Sequence, residues 1–338
     1  MAGGSLDLPV VDLASPDLKS AVDAVQKACV ESGFFYVTNH GIQDGLLEAL
    51  FAESKKFFEL PLEEKMLLQR NSAHRGYTAP YAEKLDASSE FQGDLKESFY
   101  IGAVGDEDMP NDPNQWPPKE RFPSWKDTMK LYHAAALAAG KRILSLIALS
   151  LDLEAEFFQN IGAVDCSSEV IRLLHYPGEV NESDNGNYGA SAHSDYGMIT
   201  LLATDGTPGL QICREKDRHP QLWEDVRHVD GTLIVNIGDL LERWTNCVFR
   251  YCIFNMLCGI HHVCSSSCSR PSEMLIRSTL HRVVAVGKER YSAAYFLDPR
   301  PDLVVQCLES CCCEAYPPRF PPITAGDYLK ERLSATYK

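Results

Sequence analysis

Nothing in the chain reads as a membrane span: its most apolar stretches, such as "ILSLIALSLDL", stop well short of the roughly 18 residues a bilayer-crossing helix needs. Clusters of lysine and arginine are missing too, and the net charge is −15. An acidic protein repels phosphate backbones and anionic lipid, which argues against nucleic-acid and membrane-surface partners. The opening "MAGGSLDLPVVDL" shows no basic segment followed by an apolar one, and Ala2 stands where a myristoylation signal requires glycine. The expectation is a cytoplasmic protein whose twelve cysteines are reduced thiols. Internal repeats and low-complexity tracts are also lacking.

What is present is an ordinary globular composition, with 45% apolar and 23% charged residues over 338 positions, enough for a large core. The first third alternates strand and helix patterns. "LPVVDL" reads as a strand. A helix follows, with Ser15 as N-cap, Pro16 at its first position and Gly33 at its end, burying Leu18, Val22, Val25 and Cys29. "FFYVTNHGI" reads as a second strand, and a second helix is interrupted at Pro61. Residues 103–124, rich in Pro, Asp and Asn, suggest an irregular connection. From Trp125 a long helical pattern places Leu131, Ala135, Ala138, Ile143, Ile147 and Leu151 on one face.

Beyond that helix the texture changes to seven short β-rich runs, from "VIRLLHY" to "LVVQCL", before a closing helix in "AGDYLKERLSATYK". Seven such runs predict an α+β protein: a jelly-roll, or double-stranded β-helix, core flanked by helices. The division expected is residues 1–120 and 121–338.

The chemistry is carried by an ordered set of polar residues. In "AHSDYGMITLL", His193 and Asp195 are two apart, so on a strand their side chains leave the same face and can share one ion. Downstream, "STLHRVV" offers His281 in another β-rich run. Two imidazoles and a carboxylate on one side of an ion leave positions open, as mononuclear non-haem Fe(II) chemistry requires. In "RYS", Arg290 and Ser292 also share a strand face, and arginine's rigid fork of donors suits a carboxylate. Other polar residues have plainer readings: His175, His219 and His228 as surface or satisfied-core histidines, Asp239 as a turn or capping residue, and Cys311 to Cys313 as small packing residues.

This set resembles the 2-oxoglutarate- and Fe(II)-dependent dioxygenases of the isopenicillin-N-synthase-like superfamily. "LPVVDL", "GFFYVTNHGI" and "FFELPLEEK" are similar to the family's N-terminal non-haem dioxygenase region, and "LLHYP", "HSDYGMITLL", "NIGDLLERWTN", "STLHRV" and "RYSAAYFLDP" to its catalytic jelly roll. The resemblance implies iron ligands at His193, Asp195 and His281. It also implies that Arg290 and Ser292 hold the distal carboxylate of 2-oxoglutarate and that Tyr176 adds a hydroxyl contact, although many relatives carry Asn-Tyr-Tyr-Pro at Leu174-His175-Tyr176-Pro177. The activity implied is O₂-dependent oxidation of a small organic molecule (hydroxylation, desaturation or demethylation) with release of succinate and CO₂, and with ascorbate as a possible accessory. A second reading is a same-fold Fe(II) oxidase that does not use 2-oxoglutarate.

One segment departs from the family pattern. In relatives "RWTN" runs within a few residues into "STLHRV", whereas here 26 residues, 251–276, separate Arg250 from Arg277. The segment holds "CGIHHVCSSSC", whose cysteine gaps do not match the paired Cys-x₂-Cys of structural zinc sites, although Cys258, His261, His262, Cys264 and Cys268 could supply ligands. Asp195 and His281 are 86 positions apart as written, and 59 once 27 residues are removed. Codons AGG-TAY at Arg250-Tyr251 and ATT-AGG at Ile276-Arg277 would bound an in-frame stretch with splice-site ends. The segment reads as a retained intron, and a third reading of the chain is a catalytically impaired splice product.

Overall fold

The structure is a computed structural model and describes residues 5–86, 91–104, 112–164, 168–179, 186–216, 218–247, 278–314 and 317–336. The cysteine-rich segment 251–276, with its intron and zinc readings, lies outside the described residues.

The N-terminal part contains β1 (Ser5–Leu6), β2 (Val10–Asp12), α1 (Leu18–Glu31), β3 (Phe34–Thr38), α2 (Asp44–Phe58), α3 (Leu62–Met66), β4 (Gly76–Thr78) and β5 (Glu97–Gly102). Then come α4 (Trp125–Ser150), α5 (Phe157–Asn160), β6 (Val170–Tyr176), β7 (Tyr188–His193), β8 (Ile199–Thr204), β9 (Leu210–Cys213), β10 (Glu224–Val226) and β11 (Leu233–Ile237). The chain closes with α6 (Asp239–Trp244), β12 (Leu280–Val284), β13 (Arg290–Leu297), β14 (Val304–Val305), β15 (Ile323–Thr324) and α7 (Ala325–Thr336).

Two sheets face each other in a double-stranded β-helix. The larger runs β2-β3-β11-β8-β13-β6-β5-β4 and the smaller β1-β10-β9-β12-β7. Strands contributed by residues 1–120 are thus built into the same sheet as the later strands: β3 pairs with β11 and β5 with β6.

The period-2 alternation of the larger sheet decides where chemistry can sit. One face, carrying Phe35, Val37, Ile171, Leu173, Leu201, Val235, Ala293 and Tyr295, packs in one core with Phe57 of α2 and Trp125, Tyr132 and Ile143 of α4. The opposite face carries Leu174, Tyr176, Ile234 and Ala294 toward the smaller sheet. Arg172, Thr200, Asn236, Arg290 and Ser292 share that inner face with them and line a cavity between the sheets.

Helix phases differ from the sequence expectation. In α1 the N-cap is Asp17, whose side chain accepts from Ser20 N, and the buried residues are Ala21, Val25, Ala28 and Cys29; Leu18 is exposed. In α4, Leu131 and Ala138 face solvent, and the buried stripe follows Trp125, Met129, Tyr132, Ala136, Ala139, Ile143 and Ile147. The large aromatic side chains set the phase because they bury the most area. Gly140 lets α4 sit close on β13, since a Cβ there would lie 2.8 Å from Leu297 Cδ2.

Candidate metal centre and its two cavities

His193 closes β7 and pairs in register with His281 on β12, which places the two imidazoles side by side with ring centroids 4.2 Å apart. Asp195 is not on the strand, as the sequence suggested, but in the bend that leads to β8. It still reaches the same point: its Oδ1 lies 3.9 Å from His193 Nε2 and 3.6 Å from His281 Nε2. One ligand atom from each of the three residues falls within 4.8 Å of the others, and no other such group of His, Cys, Asp or Glu occurs among the described residues.

The neighbours leave those atoms free for an ion. His193 Nδ1 donates to Ser191 O at 2.7 Å and His281 Nδ1 to Thr279 O at 3.1 Å, so both Nε2 lone pairs turn inward. Asp195 Oδ2 accepts from Thr200 Oγ1 at 2.6 Å and Asn236 Nδ2 at 2.7 Å, leaving Oδ1 without a hydroxyl or amide donor among the described residues. Burial raises the Asp195 carboxyl, but the two imidazoles and these two donors outweigh it and hold the group below its ordinary range. Burial, then His281, push His193 toward its neutral form, which is the ligating form. Two neutral imidazoles and one carboxylate fit a divalent iron ion.

Backbone contacts fix the bend. Asp239 N donates to Asp195 O at 2.8 Å, Leu240 N to Gly197 O at 3.0 Å and Gly238 N to Met198 O at 2.8 Å, so the start of α6 docks on the turn that carries Asp195. The approach requires Gly197 and Gly238, because a Cβ on Gly238 would lie 2.3 Å from Gly197 O and one on Gly197 1.5 Å from Asp298 Oδ1. Asp239, read as a turn or capping residue, is the first residue of α6, and its Oδ2 accepts from Tyr328 OH of α7 at 2.7 Å.

Two cavities meet at this centre. The inner one, about 60 Å³, is lined by all six residues singled out from the sequence: Tyr176, His193, Asp195, His281, Arg290 and Ser292. Arg290 is 2% exposed; its guanidinium lies 3.1 Å from Ser292 Oγ and stands over the Tyr176 ring, 4.9 Å from its centroid. The outer cavity, about 340 Å³, shares His193, Asp195, Arg172, Leu85 and Phe296 with the inner one and opens under α7, where Leu329 and Leu333 form part of its wall.

Three cavity residues were missed by sequence reasoning. Lys96 and Arg172 are held by acidic partners near or far along the chain, with Arg172 paired to Glu83 and Lys96 to Asp94 and Glu83. Asp298 lines the outer cavity, and its Oδ1 is buried without a hydrogen-bond partner among the described residues. Burial, then Asp195 and Glu169, push its carboxyl up to about 7. A folded-state value above the ordinary 3.8 costs stability as pH rises from about 4 to about 7. Asp298→Asn is therefore expected to stabilise the metal-free protein by up to about 4 kcal/mol above pH 7 and by nothing near pH 4, a difference that melting curves across pH would reveal. A gain equal at both pH values would refute the assignment.

His175 is a satisfied-core histidine, stacked against Tyr291 and paired to Glu97 and Glu289. His228 pairs with Asp230 at the surface. Cys311 is buried, while Cys312 and Cys313 are half-buried.

Residues 8–119 match the model of the non-haem dioxygenase N-terminal region named for morphine synthesis, and residues 167–299 match that of the 2OG-Fe(II) oxygenase superfamily. Kihadalactone A synthase of Citrus sinensis is 39% identical over 97% of this chain and 91% of its own length. Azadirone synthase of Melia azedarach is 37% identical, over 98% and 93%. Among solved structures, a full-length Neurospora crassa protein in complex with alpha-KG superposes with a TM-score of 0.78 at 30% identity, covering 99% of both chains. The same protein in complex with alpha-KG and thymine gives 0.77, covering 98% of this chain and 97% of that one.

Proposed function

The chain belongs to the 2-oxoglutarate- and Fe(II)-dependent oxygenase superfamily, and from that premise we propose that His193, Asp195 and His281 hold its iron while Arg290, Ser292 and Tyr176 hold 2-oxoglutarate. The protein is an Fe(II)- and 2-oxoglutarate-dependent dioxygenase that acts on a small organic metabolite with O₂. The observation that carries the residue assignment is the meeting of all six side chains on one inner cavity.

Iron and 2-oxoglutarate, when bound, supply the oxidising chemistry, with the co-substrate leaving as succinate and CO₂. The chain's own residues prepare for it. Thr200 and Asn236 orient Asp195, and the carbonyls of Ser191 and Thr279 fix the imidazole tautomers. Buried Arg290, with Ser292 beside it, offers a charged fork to a carboxylate, which favours 2-oxoglutarate over the same-fold oxidase reading. Ascorbate would serve only to keep the iron ferrous.

The outer cavity receives the substrate. Its size and its walls of Leu85, Val170, Leu240, Phe296, Leu329 and Leu333 suit a bulky, largely apolar metabolite oxidised by hydroxylation, desaturation or demethylation. The similarity to synthases of kihadalactone A and azadirone supports that choice. Residues 1–120 form the N-terminal region and 121–338 the catalytic domain with its atypical 251–276 insertion, in keeping with the two family matches. We place the protein in the cytosol: no helix among the described residues is long and apolar enough to cross a membrane, and the seven described cysteines are free thiols. Succinate formation from 2-oxoglutarate by the Fe(II)-loaded protein tests the reading. Substrate oxidation that proceeds without 2-oxoglutarate would replace it with the oxidase reading.

The impaired-splice-product reading has its own test. Cys247 and Ser278 flank the atypical segment, and both reach Glu242, the first through its thiol and the second through its backbone. Three residues, 248–250, would link them after removal of 251–277, a span of up to about 14 Å. The shortened protein is expected to fold and to bind Fe(II) within about twofold of the full chain, since the extra loop length costs only about 2 kcal/mol of chain entropy. Iron binding tenfold tighter after excision would instead establish that the segment impairs the site.

A further inference from the structure

Lys96, immediately before β5, lines the inner cavity with its side chain 2% exposed. A buried ammonium is tolerated only when paired. Its Nζ lies 2.6 Å from Asp94 Oδ2 and 3.3 Å from Glu83 Oε2. Both acids are held in turn. Asp94 Oδ1 accepts from Ser191 N at 3.1 Å and Ser191 Oγ at 2.6 Å; Glu83 accepts from Tyr100 OH at 2.8 Å and pairs with Arg172. The ammonium is therefore aimed and immobilised.

An ammonium has three donors, and the two acids take two of them. Among the described residues no further acceptor meets Nζ, so the third is left for the cavity that Lys96 lines. The charged residues around that cavity are Lys96, Arg172 and Arg290 against the single carboxylate of Asp195. Arg172 also faces the outer cavity, stacks on the Tyr100 ring at 4.6 Å and directs Nη2 to Glu83 and Ser98. Lys96 borders the inner cavity and not the outer one. The co-substrate carries two carboxylates, and Arg290 with Ser292 accounts for one.

We propose that Lys96 is the second cationic anchor of 2-oxoglutarate, donating its remaining N–H to the carboxylate remote from Arg290. The inference rests on the assignment of the inner cavity to 2-oxoglutarate. It makes the Asp94–Lys96–Glu83 cluster part of the binding site rather than a structural ion pair, and it gives a role to a lysine with no motif of its own in the sequence.

The test is calorimetric binding to the full-length Mn(II)-loaded protein of two unreactive probes: N-oxalylglycine, and oxalate, which lacks the distal carboxylate. Lys96→Met is expected to weaken both by roughly ten- to a hundredfold, the loss of one charge-assisted hydrogen bond, with Mn(II) affinity unchanged. Because that change strands Asp94, the double variant Lys96→Met with Asp94→Asn is measured beside it, and the same weakening is expected. Arg290→Met should weaken N-oxalylglycine and leave oxalate unchanged. Wild-type affinity for both probes in the double variant, with Arg290→Met still impaired, would overturn the role of Lys96 alone. Wild-type affinity in Arg290→Met as well would overturn the cavity assignment on which it rests.

Discussion

Asp195→Ala is expected to abolish turnover and to weaken Fe(II) binding by at least about a hundredfold, because a single carboxylate supplies the only negative charge among the three ligands. The side chain is not needed to hold the bend in place. That job belongs to the backbone, through Asp239 N on Asp195 O, Leu240 N on Gly197 O and Gly238 N on Met198 O. Its removal leaves Thr200 Oγ1 and Asn236 Nδ2 without their shared acceptor, a penalty of about 1–3 kcal/mol that a folded domain of this size can absorb. The variant should therefore melt cooperatively a few degrees lower and fail as a metal protein. Metal analysis after dialysis, read beside a melting curve, checks both halves. A variant that retains stoichiometric iron would remove Asp195 from the ligand set.

Arg290→Met is expected to keep iron and lose the co-substrate. The guanidinium is buried, stands over Tyr176 and lies next to Ser292 Oγ, so a carboxylate docking there exchanges water for a desolvated, charge-assisted contact. Truncating one side of such a pair costs about 3–5 kcal/mol, or a hundred- to a few thousandfold in affinity for 2-oxoglutarate. Methionine fills much of the same volume, so the inner face between Tyr176 and Ser292 should stay packed. Calorimetric titration of the iron-loaded variant under nitrogen measures the loss. Unchanged 2-oxoglutarate affinity would remove Arg290 from the site and reopen the oxidase reading.

That His193 and Asp195, and Arg290 and Ser292, line one cavity was legible because each pair is two residues apart on or beside a β-rich run, where strand alternation gives a shared face; His281 was legible as a lone histidine in another such run. Asp195 differs from that reading in one respect: it sits in a bend rather than on the strand, and Gly197 and Gly238 permit the close approach that brings its carboxylate back to the imidazoles. Helix phase was less legible. The stripe through Leu131 and Ala138 treated every apolar residue alike, whereas burial of Trp125 and Tyr132 rotates α4 to cover the sheet with larger side chains. Lys96 and Arg172 were not legible at all. Arg172 meets Glu83 across 89 positions, and no local periodicity reports a buried ion cluster assembled from separate segments.

The same limit applies to the substrate. Leu329 and Leu333 belong to α7, at the end of the chain, and meet Leu85 and Phe296 only because α7 is tied to α6 through Tyr328 and Asp239. The shape of the outer cavity is a tertiary property, so the sequence could name the reaction class without naming the molecule.

The central claim is that one inner cavity holds iron on His193, Asp195 and His281 and 2-oxoglutarate on Arg290 and Ser292. It is tested most directly by anaerobic titration of the Fe(II)-loaded protein with 2-oxoglutarate, followed by the visible charge-transfer absorption that a 2-oxo acid chelated to ferrous iron produces. The account predicts a saturable band at one equivalent in the native chain, its absence in Asp195→Ala, and its appearance only at far higher 2-oxoglutarate in Arg290→Met. A band of undiminished intensity and midpoint in both variants would contradict it.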